Sequence, residues 1–235
     1  MAILDRIKGI RRAEPSAPEP STATSVAIIM DGNSRWAKQR GLPTLSGHHA
    51  GVRALRRTVE AAPDLGIRAL TVYAFSTENW TRPEDEVSGL MDLFARTIER
   101  EFMDLHRQGV RIRFIGRRDR LSPKLCKLMS DMEERTHANE RLDLFVAFDY
   151  GGRAELMAAV RTLRSTTGTV DADRLAAHLY DPELPDVDVL VRTSGEIRVS
   201  NFLLWQAAGA AIHFTDASWP DFDADDLDRA LDLVR

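Results

Sequence analysis

Val26-Ala-Ile-Ile-Met30 runs without a break into Asp31-Gly32-Asn33-Ser34-Arg35-Trp36. The first five residues are apolar and partly β-branched, as in a strand buried on both faces of a parallel sheet. An acid, a glycine, an amide, a hydroxyl and an arginine follow, so the strand delivers a polar loop to the sheet edge. In open α/β sheets, ligands bind in the crevice beyond the strand carboxyl ends. Asp31 can hold a divalent cation, Arg35 can fork onto phosphate oxygens, and Gly32 lets a ligand approach the backbone. The same residue types also build ordinary strand-ending turns, and this loop alone leaves both readings open.

Downstream, Arg68-Ala-Leu-Thr-Val-Tyr-Ala-Phe75 repeats the form and ends in Ser76-Thr77-Glu78-Asn79-Trp80-Thr81-Arg82-Pro83. Further strands are expected at Val110–Ile115, Leu142–Phe148, Val187–Val191 and Ile212–Phe214. Helical patterns lie between them. They run from His48 to near Gly66, from Pro83 to about Gln108, over Ser122–Ala138, Ala154–Arg164 and Asp173–Tyr180, and from about Asp223 onward. Phe202–Gln206 reads as a buried helical turn. This alternation predicts one α/β domain with a central, mostly parallel six-stranded sheet flanked by helices. On the second helix Val87, Leu90, Met91, Phe94, Ile98, Phe102 and Leu105 form one long stripe. It serves either as core or as the wall of a hydrophobic cavity.

The 235 residues suffice for one large domain. A net charge of −4 carries no basic footprint for nucleic acid, and no run reaches the ~20 apolar residues of a membrane helix. A single cysteine, Cys126, excludes an internal disulfide and fits a reducing, cytoplasmic setting. Met1–Arg12 lacks the apolar core of a signal peptide and reads as a frayed helix. Ala13–Ser25 is Pro/Ser-rich and reads as a linker, which places the catalytic domain at residues 26–235.

A parallel sheet gathers its strand carboxyl ends on one edge. The loops at Asp31, Ser76 and Arg192 should therefore converge. They pool Asp31, Asn33, Arg35, His48, Ser76, Glu78, Asn79, Arg82, Arg192, Arg198 and Ser200. Four arginines against one or two carboxylates suit a ligand with more than one phosphate. One central acid suits Mg²⁺, which takes few protein carboxylates and completes its shell with phosphates and water. No Walker or dinucleotide fingerprint is present, and no G-x-S-x-G elbow. The residues describe a magnesium-dependent diphosphate enzyme with an apolar cavity beside the phosphates, as an isoprenoid diphosphate requires.

The motifs MDGNSRWAKQRGLP, GHHAG, YAFSTENWTRP, YGGR, VRTSGE, RVSNFLLWQ and FTDASWPDF resemble, in order, those of the cis-prenyltransferase family. The resemblance implies a sheet with a hydrophobic tunnel, a homodimer, Mg²⁺ and small-molecule prenyl diphosphate substrates. It implies Asp31 as the metal-binding acid. Gly32, Asn33, Ser34, Arg35 and His48 would hold the allylic diphosphate, with Arg82 close by. Trp36, Ser76, Thr77, Glu78 and Trp80 would line the reacting centre, and Asn79 would assist proton removal. Arg192, Arg198, Val199 and Ser200 would grip the second diphosphate. Glu78 and His48 are further candidates for proton handling.

Several positions depart from the family pattern. Ser34 stands for a second glycine, Thr44 for an arginine and Ile197 for a histidine. Ala211 replaces a metal-binding glutamate, which implies an altered second-substrate site. Phe145 and Phe148 stand where the family has small residues on the strand of the tunnel floor. They would shorten the tunnel or, alternatively, serve as plain core. These departures resemble the irregular short-chain branch that includes cyclolavandulyl diphosphate synthase, joining two dimethylallyl diphosphates head-to-middle with or without ring closure. The alternatives are a head-to-tail enzyme making a ten- or fifteen-carbon product and a non-catalytic partner subunit. The retained arginines around Asp31 speak against the last.

Overall fold

The computed structural model describes residues 25–235. The helix expected over residues 1–12 and the linker over 13–25 lie outside this range, except Ser25, which opens the first strand. The strands are β1 (Ser25–Ile29), β2 (Ala69–Ser76), β3 (Val110–Ile115), β4 (Leu142–Tyr150), β5 (Val189–Arg192) and β6 (Ala211–Phe214). They form one sheet in the order β3-β4-β2-β1-β5-β6, and every pairing is parallel. From β1 the chain first builds outward to one side, then returns to place β5 on the other. β1 is thus the point where the strand order reverses, and the crevice beyond its carboxyl end is where such sheets bind ligands.

The helices are α1 (Asn33–Gln39), α2 (Thr44–Ala61), α3 (Glu84–Arg107), α4 (Pro123–Thr136), α5 (Gly152–Leu163), α6 (Ala172–Ala176) and α7 (Ala224–Leu231). Three differ from expectation, one of them α6, which ends at Ala176 rather than Tyr180. The stretch after Gly32 is a helix rather than a loop, and α2 starts at Thr44 rather than His48. Asn33 and Ser34 are turn formers by propensity, but packing of α1 on α2 overrides that weak preference. Phe202–Gln206 forms turns without a helix. Among the described residues no helix is long and apolar enough to cross a membrane.

The core lies on both faces of the sheet. One face carries Val72, Phe75, Leu144, Val146 and Phe148 against α2 and α3, with Phe94, Ile98 and Phe102 from α3. The other carries Tyr73, Phe145, Ala147, Tyr150, Leu203 and Phe202. A register shift in β2 after Tyr73 puts Phe75 on the same face as Val72. Phe145 and Phe148 instead point to opposite faces, as an odd spacing on a regular stretch of strand requires. The expectation that both shorten one tunnel fails for Phe145, which is buried on the far face beneath the Arg113 guanidinium.

Candidate active site

Three glycine contacts set the floor of the crevice. Gly32 turns from β1 into α1 at φ +103°, and a Cβ there would stand 2.7 Å from Ser194 Oγ. On α2, a Cβ at Gly47 would stand 2.0 Å from the Asn33 carbonyl oxygen, and one at Gly51 2.4 Å from Asn33 Oδ1. These bare positions, four apart on one helix face, let α1 sit against α2 and bring Asn33 and His48 to one cavity.

Asp31 and Arg192 meet across the β1–β5 boundary. Arg192 is almost wholly buried. Its Nη2 donates to Asp31 Oδ2 at 2.9 Å, and its Nη1 donates to Ser200 Oγ and the Arg198 carbonyl, both at 2.6 Å. Among the described residues its buried Nε has no partner, which leaves an orphan donor at this site. Asp31 Oδ1 accepts from the Gly32 N–H at 2.7 Å, and the Thr193 hydroxyl accepts from the Asp31 N–H at 2.9 Å. Arg35 lies 3.7 Å from Asp31 and 3.3 Å from Glu196, which also pairs with Arg198. Arg82 pairs with Glu86 at 2.8 Å.

Past β2 the chain makes a tight turn over Thr77–Thr81. Asn79 Oδ1 accepts from the Ser76 N–H at 2.9 Å, so the Asn79 side chain offers the cavity donors rather than a base. Glu78 accepts from Asn201 Nδ2 at 3.0 Å and from the Thr77 hydroxyl at 2.9 Å. Burial pushes its carboxyl up, but these hydrogen bonds outweigh burial and hold it below the ordinary carboxylate value. Burial, and then the Arg82 charge, lower the His48 imidazole to about 4. At neutral pH His48 is an uncharged ring whose buried Nε2 has no partner among the described residues. Tyr73 is raised by burial and by Glu78, and its hydroxyl donates to the Tyr150 carbonyl at 3.1 Å.

These groups enclose a cavity of about 670 Å³. Of the expected residues, Asp31, Gly32, Asn33, Ser34, Arg35, His48, Ser76, Glu78, Asn79, Arg82, Arg192, Arg198 and Ser200 line it. Trp36, Thr77, Trp80 and Val199 do not. The Trp36 indole N–H donates to Asp221 at 2.7 Å under a stacked Arg40, on the outer side of α1. Trp80 donates to the buried Asp149 at 2.9 Å and sits edge-on to Phe75. The Thr77 hydroxyl turns to Glu78, and Val199 packs on the far-face core. Tyr73, Arg153 and Asn201 join the lining instead. Arg153 was visible in the YGGR motif, but only the parallel β2–β4 pairing shows that this motif ends beside the Ser76 loop.

An apolar recess of about 100 Å³ opens from this cavity, sharing Met30, His48, Ala74 and Leu90 with it. Phe75, Phe94, Phe102 and Phe148 help line the recess. Phe94 stacks on Phe148 at 3.8 Å between ring centroids, and Phe148 on Phe75 at 5.3 Å. The α3 stripe is thus both core and cavity wall.

Ala211 is not part of the cavity. It pairs with Val189 at the start of β5, whereas the site lies at Arg192, opposite Phe214. Three residues of strand, ~10 Å, separate them. The expectation that this substitution reshapes the second-substrate site finds no support within the chain.

An arginine-lined cavity at a strand-order reversal, with an apolar recess beside it, has the make-up of a site for an anion that carries an apolar part. The chain belongs to the cis-prenyltransferase family: the family described as "Putative undecaprenyl diphosphate synthase" matches residues 29–233. It is 49% identical over 222 residues to isoprenyl transferase 2 of Bradyrhizobium diazoefficiens, covering 91% of this chain and 88% of that protein. Isoprenyl transferase of Thermotoga maritima is 46% identical over 212 residues, 88% of this chain and 91% of its own. Among solved structures, lavandulyl diphosphate synthase from Lavandula x intermedia, in complex with dimethylallyl diphosphate, superimposes with a TM-score of 0.86 at 32% identity. That match covers 91% of this chain and 95% of the other. The protein is a prenyltransferase that transfers prenyl groups and releases diphosphate.

Proposed function

We propose that this enzyme is a short-chain prenyl diphosphate synthase. The size of the apolar recess carries that reading. An apolar protein cavity of ~150 Å³ holds one benzene ring, so about 100 Å³ accommodates roughly one five-carbon unit before Phe148 and its stacked neighbours. The product is then a ten- or fifteen-carbon diphosphate rather than a long polyprenyl chain.

Asp31 fits Mg²⁺ as a one-carboxylate site: its carboxylate is about a third exposed to the cavity, and the remaining ligands would be phosphate oxygens and water. When bound, the ion would draw negative charge from the departing diphosphate. The chain's own groups do the rest. Arg35, the Asn33 amide and neutral His48 orient the allylic diphosphate, so that charge developing on it meets donors already in place. Arg192, Arg198 and Ser200 grip the second diphosphate and aim its double bond at the allylic carbon. The π electrons of that double bond form a new C–C bond as the allylic C–O bond breaks and its electron pair leaves with diphosphate. A proton then leaves the new carbocation. Glu78, held ionised by Asn201 and Thr77, is the acceptor within the cavity. The homodimer implied by the resemblance belongs to the same reading and is checked by light scattering.

Head-to-tail coupling to isopentenyl diphosphate is favoured by the intact Arg192–Ser200 grip and by the position of Ala211 outside the cavity. Head-to-middle coupling of two dimethylallyl diphosphates, with or without cyclisation, is favoured by the likeness to the lavandulyl diphosphate synthase structure. Incubation with Mg²⁺ and dimethylallyl diphosphate, with and without isopentenyl diphosphate, separates them by mass spectrometry of the dephosphorylated products. A ten-carbon product from dimethylallyl diphosphate alone establishes the irregular coupling. Products beyond fifteen carbons refute the short-chain reading, and no product in either tube refutes catalysis by this chain alone.

A further inference from the structure

Five arginines line the cavity, and four of them already face a carboxylate. Arg35 lies beside Asp31 and Glu196, Arg82 beside Glu86, Arg192 beside Asp31 and Arg198 beside Glu196. Arg153 differs. Among the described residues no carboxylate pairs with its guanidinium, although it lines the same cavity.

The backbone of Arg153 is tied down. Its N–H donates to Asn201 Oδ1 at 2.9 Å, and the Gly152 N–H donates to the Asn201 carbonyl at 2.7 Å. Asn201 Nδ2 donates in turn to Glu78. Asn201 and the preceding Ser200 hold left-handed backbone, at φ +61° and +45°, where most residues are strained. Gly151 makes the approach possible, since a Cβ there would stand 2.6 Å from Thr77 Oγ1 and 2.8 Å from Asn201 Nδ2. The start of α5 is therefore stapled to the residue next to Ser200, whose hydroxyl Arg192 contacts. Arg153 stands on the side of the cavity that holds Arg192, Arg198 and Ser200.

We propose that Arg153 is a further substrate-binding residue, donating from its guanidinium to the diphosphate gripped by Arg192, Arg198 and Ser200. A planar guanidinium matches phosphate oxygens with two parallel hydrogen bonds, and one lacking a counter-charge gains most when the anion arrives. The four paired arginines must share their charge with protein carboxylates. Arg153 gives its own to the ligand.

The inference rests on the reading of this cavity as a prenyl diphosphate site, so the test separates the two. Inorganic pyrophosphate is titrated with Mg²⁺ into wild type, Arg153→Gln, Arg153→Lys and Arg161→Gln by calorimetry. Arg161 is exposed, eight residues on along α5, and its replacement removes the same charge from the same helix. Arg153→Gln should weaken binding about tenfold or more, as expected for loss of a hydrogen bond to a charged group. Arg153→Lys should fall between, keeping the charge but not the fork, and Arg161→Gln should match wild type. No binding to wild type would overturn the diphosphate reading and this inference with it. Wild-type affinity in Arg153→Gln, or equal weakening in Arg161→Gln, overturns this inference alone. Combining Arg153→Gln with Arg198→Gln should give a less than additive loss, since both serve one ligand. An additive loss removes Arg153 from that grip.

Discussion

Phe148→Ala tests the link between cavity depth and product length. The Phe148 ring lies in the recess wall, stacked on Phe94 at 3.8 Å and on Phe75 at 5.3 Å. Its removal opens on the order of 100 Å³, by comparison with the ~150 Å³ cavity that holds a benzene ring. That roughly doubles the recess of about 100 Å³ and admits at least one more five-carbon unit. Buried Phe→Ala changes cost about 3–5 kcal/mol, or roughly 6–20 °C in Tm for a domain of this size. Phe145→Ala is the matched control. It removes an equally buried ring from the same strand, but on the face away from the recess, so it should destabilise comparably and leave the product unchanged. Both variants are melted, then supplied with dimethylallyl and isopentenyl diphosphates and Mg²⁺, and products are sized by mass spectrometry. Longer products from Phe148→Ala alone support the reasoning. A folded Phe148→Ala enzyme with the wild-type product length, or the same lengthening from Phe145→Ala, refutes it.

Asp31→Asn keeps the shape but removes the negative charge beside buried Arg192 and the metal-binding oxygen, and should lower single-turnover rates at saturating Mg²⁺ by ~10³ or more. A loss of under tenfold would exclude Asp31 as the metal-binding acid. Glu78→Gln should cut kcat by ~10² or more while leaving KM for the diphosphates within about twofold, since it removes a proton acceptor and no phosphate contact. An unchanged kcat would move proton acceptance elsewhere. His48 is lowered to about 4 when folded against 6.5 unfolded, so the unfolded state binds the extra proton between these values. Stability tied to His48 is full above pH 6.5 and is lost as pH falls from 6.5 toward 4, by on the order of 3 kcal/mol. Denaturant titrations of wild type and His48→Gln should diverge in that window, and parallel curves would show that His48 titrates normally.

Much of this site is readable from sequence because parallel strands place their carboxyl ends together whatever their order. Asp31, Ser76 and Arg192 could thus be pooled from three separate apolar runs before any pairing was known. Strand alternation also separates Phe145 from Phe148, since side-chain direction has a period of two. The α1 helix was harder to read, because Asn33 and Ser34 favour turns and only packing against bare Gly47 and Gly51 overrides them. Trp36 and Trp80 left the cavity for a similar reason: each indole N–H finds a carboxylate, Asp221 and Asp149, far away in sequence. The residue types of the cavity, the need for glycine at position 32 and the α/β alternation were therefore set by local sequence. Tertiary structure alone decided that Ala211 stands at the opposite end of β6 from the site, and that Arg153 lines the cavity with no carboxylate paired to it among the described residues. Both depend on strand register and on contacts between residues tens of positions apart, which no local pattern encodes.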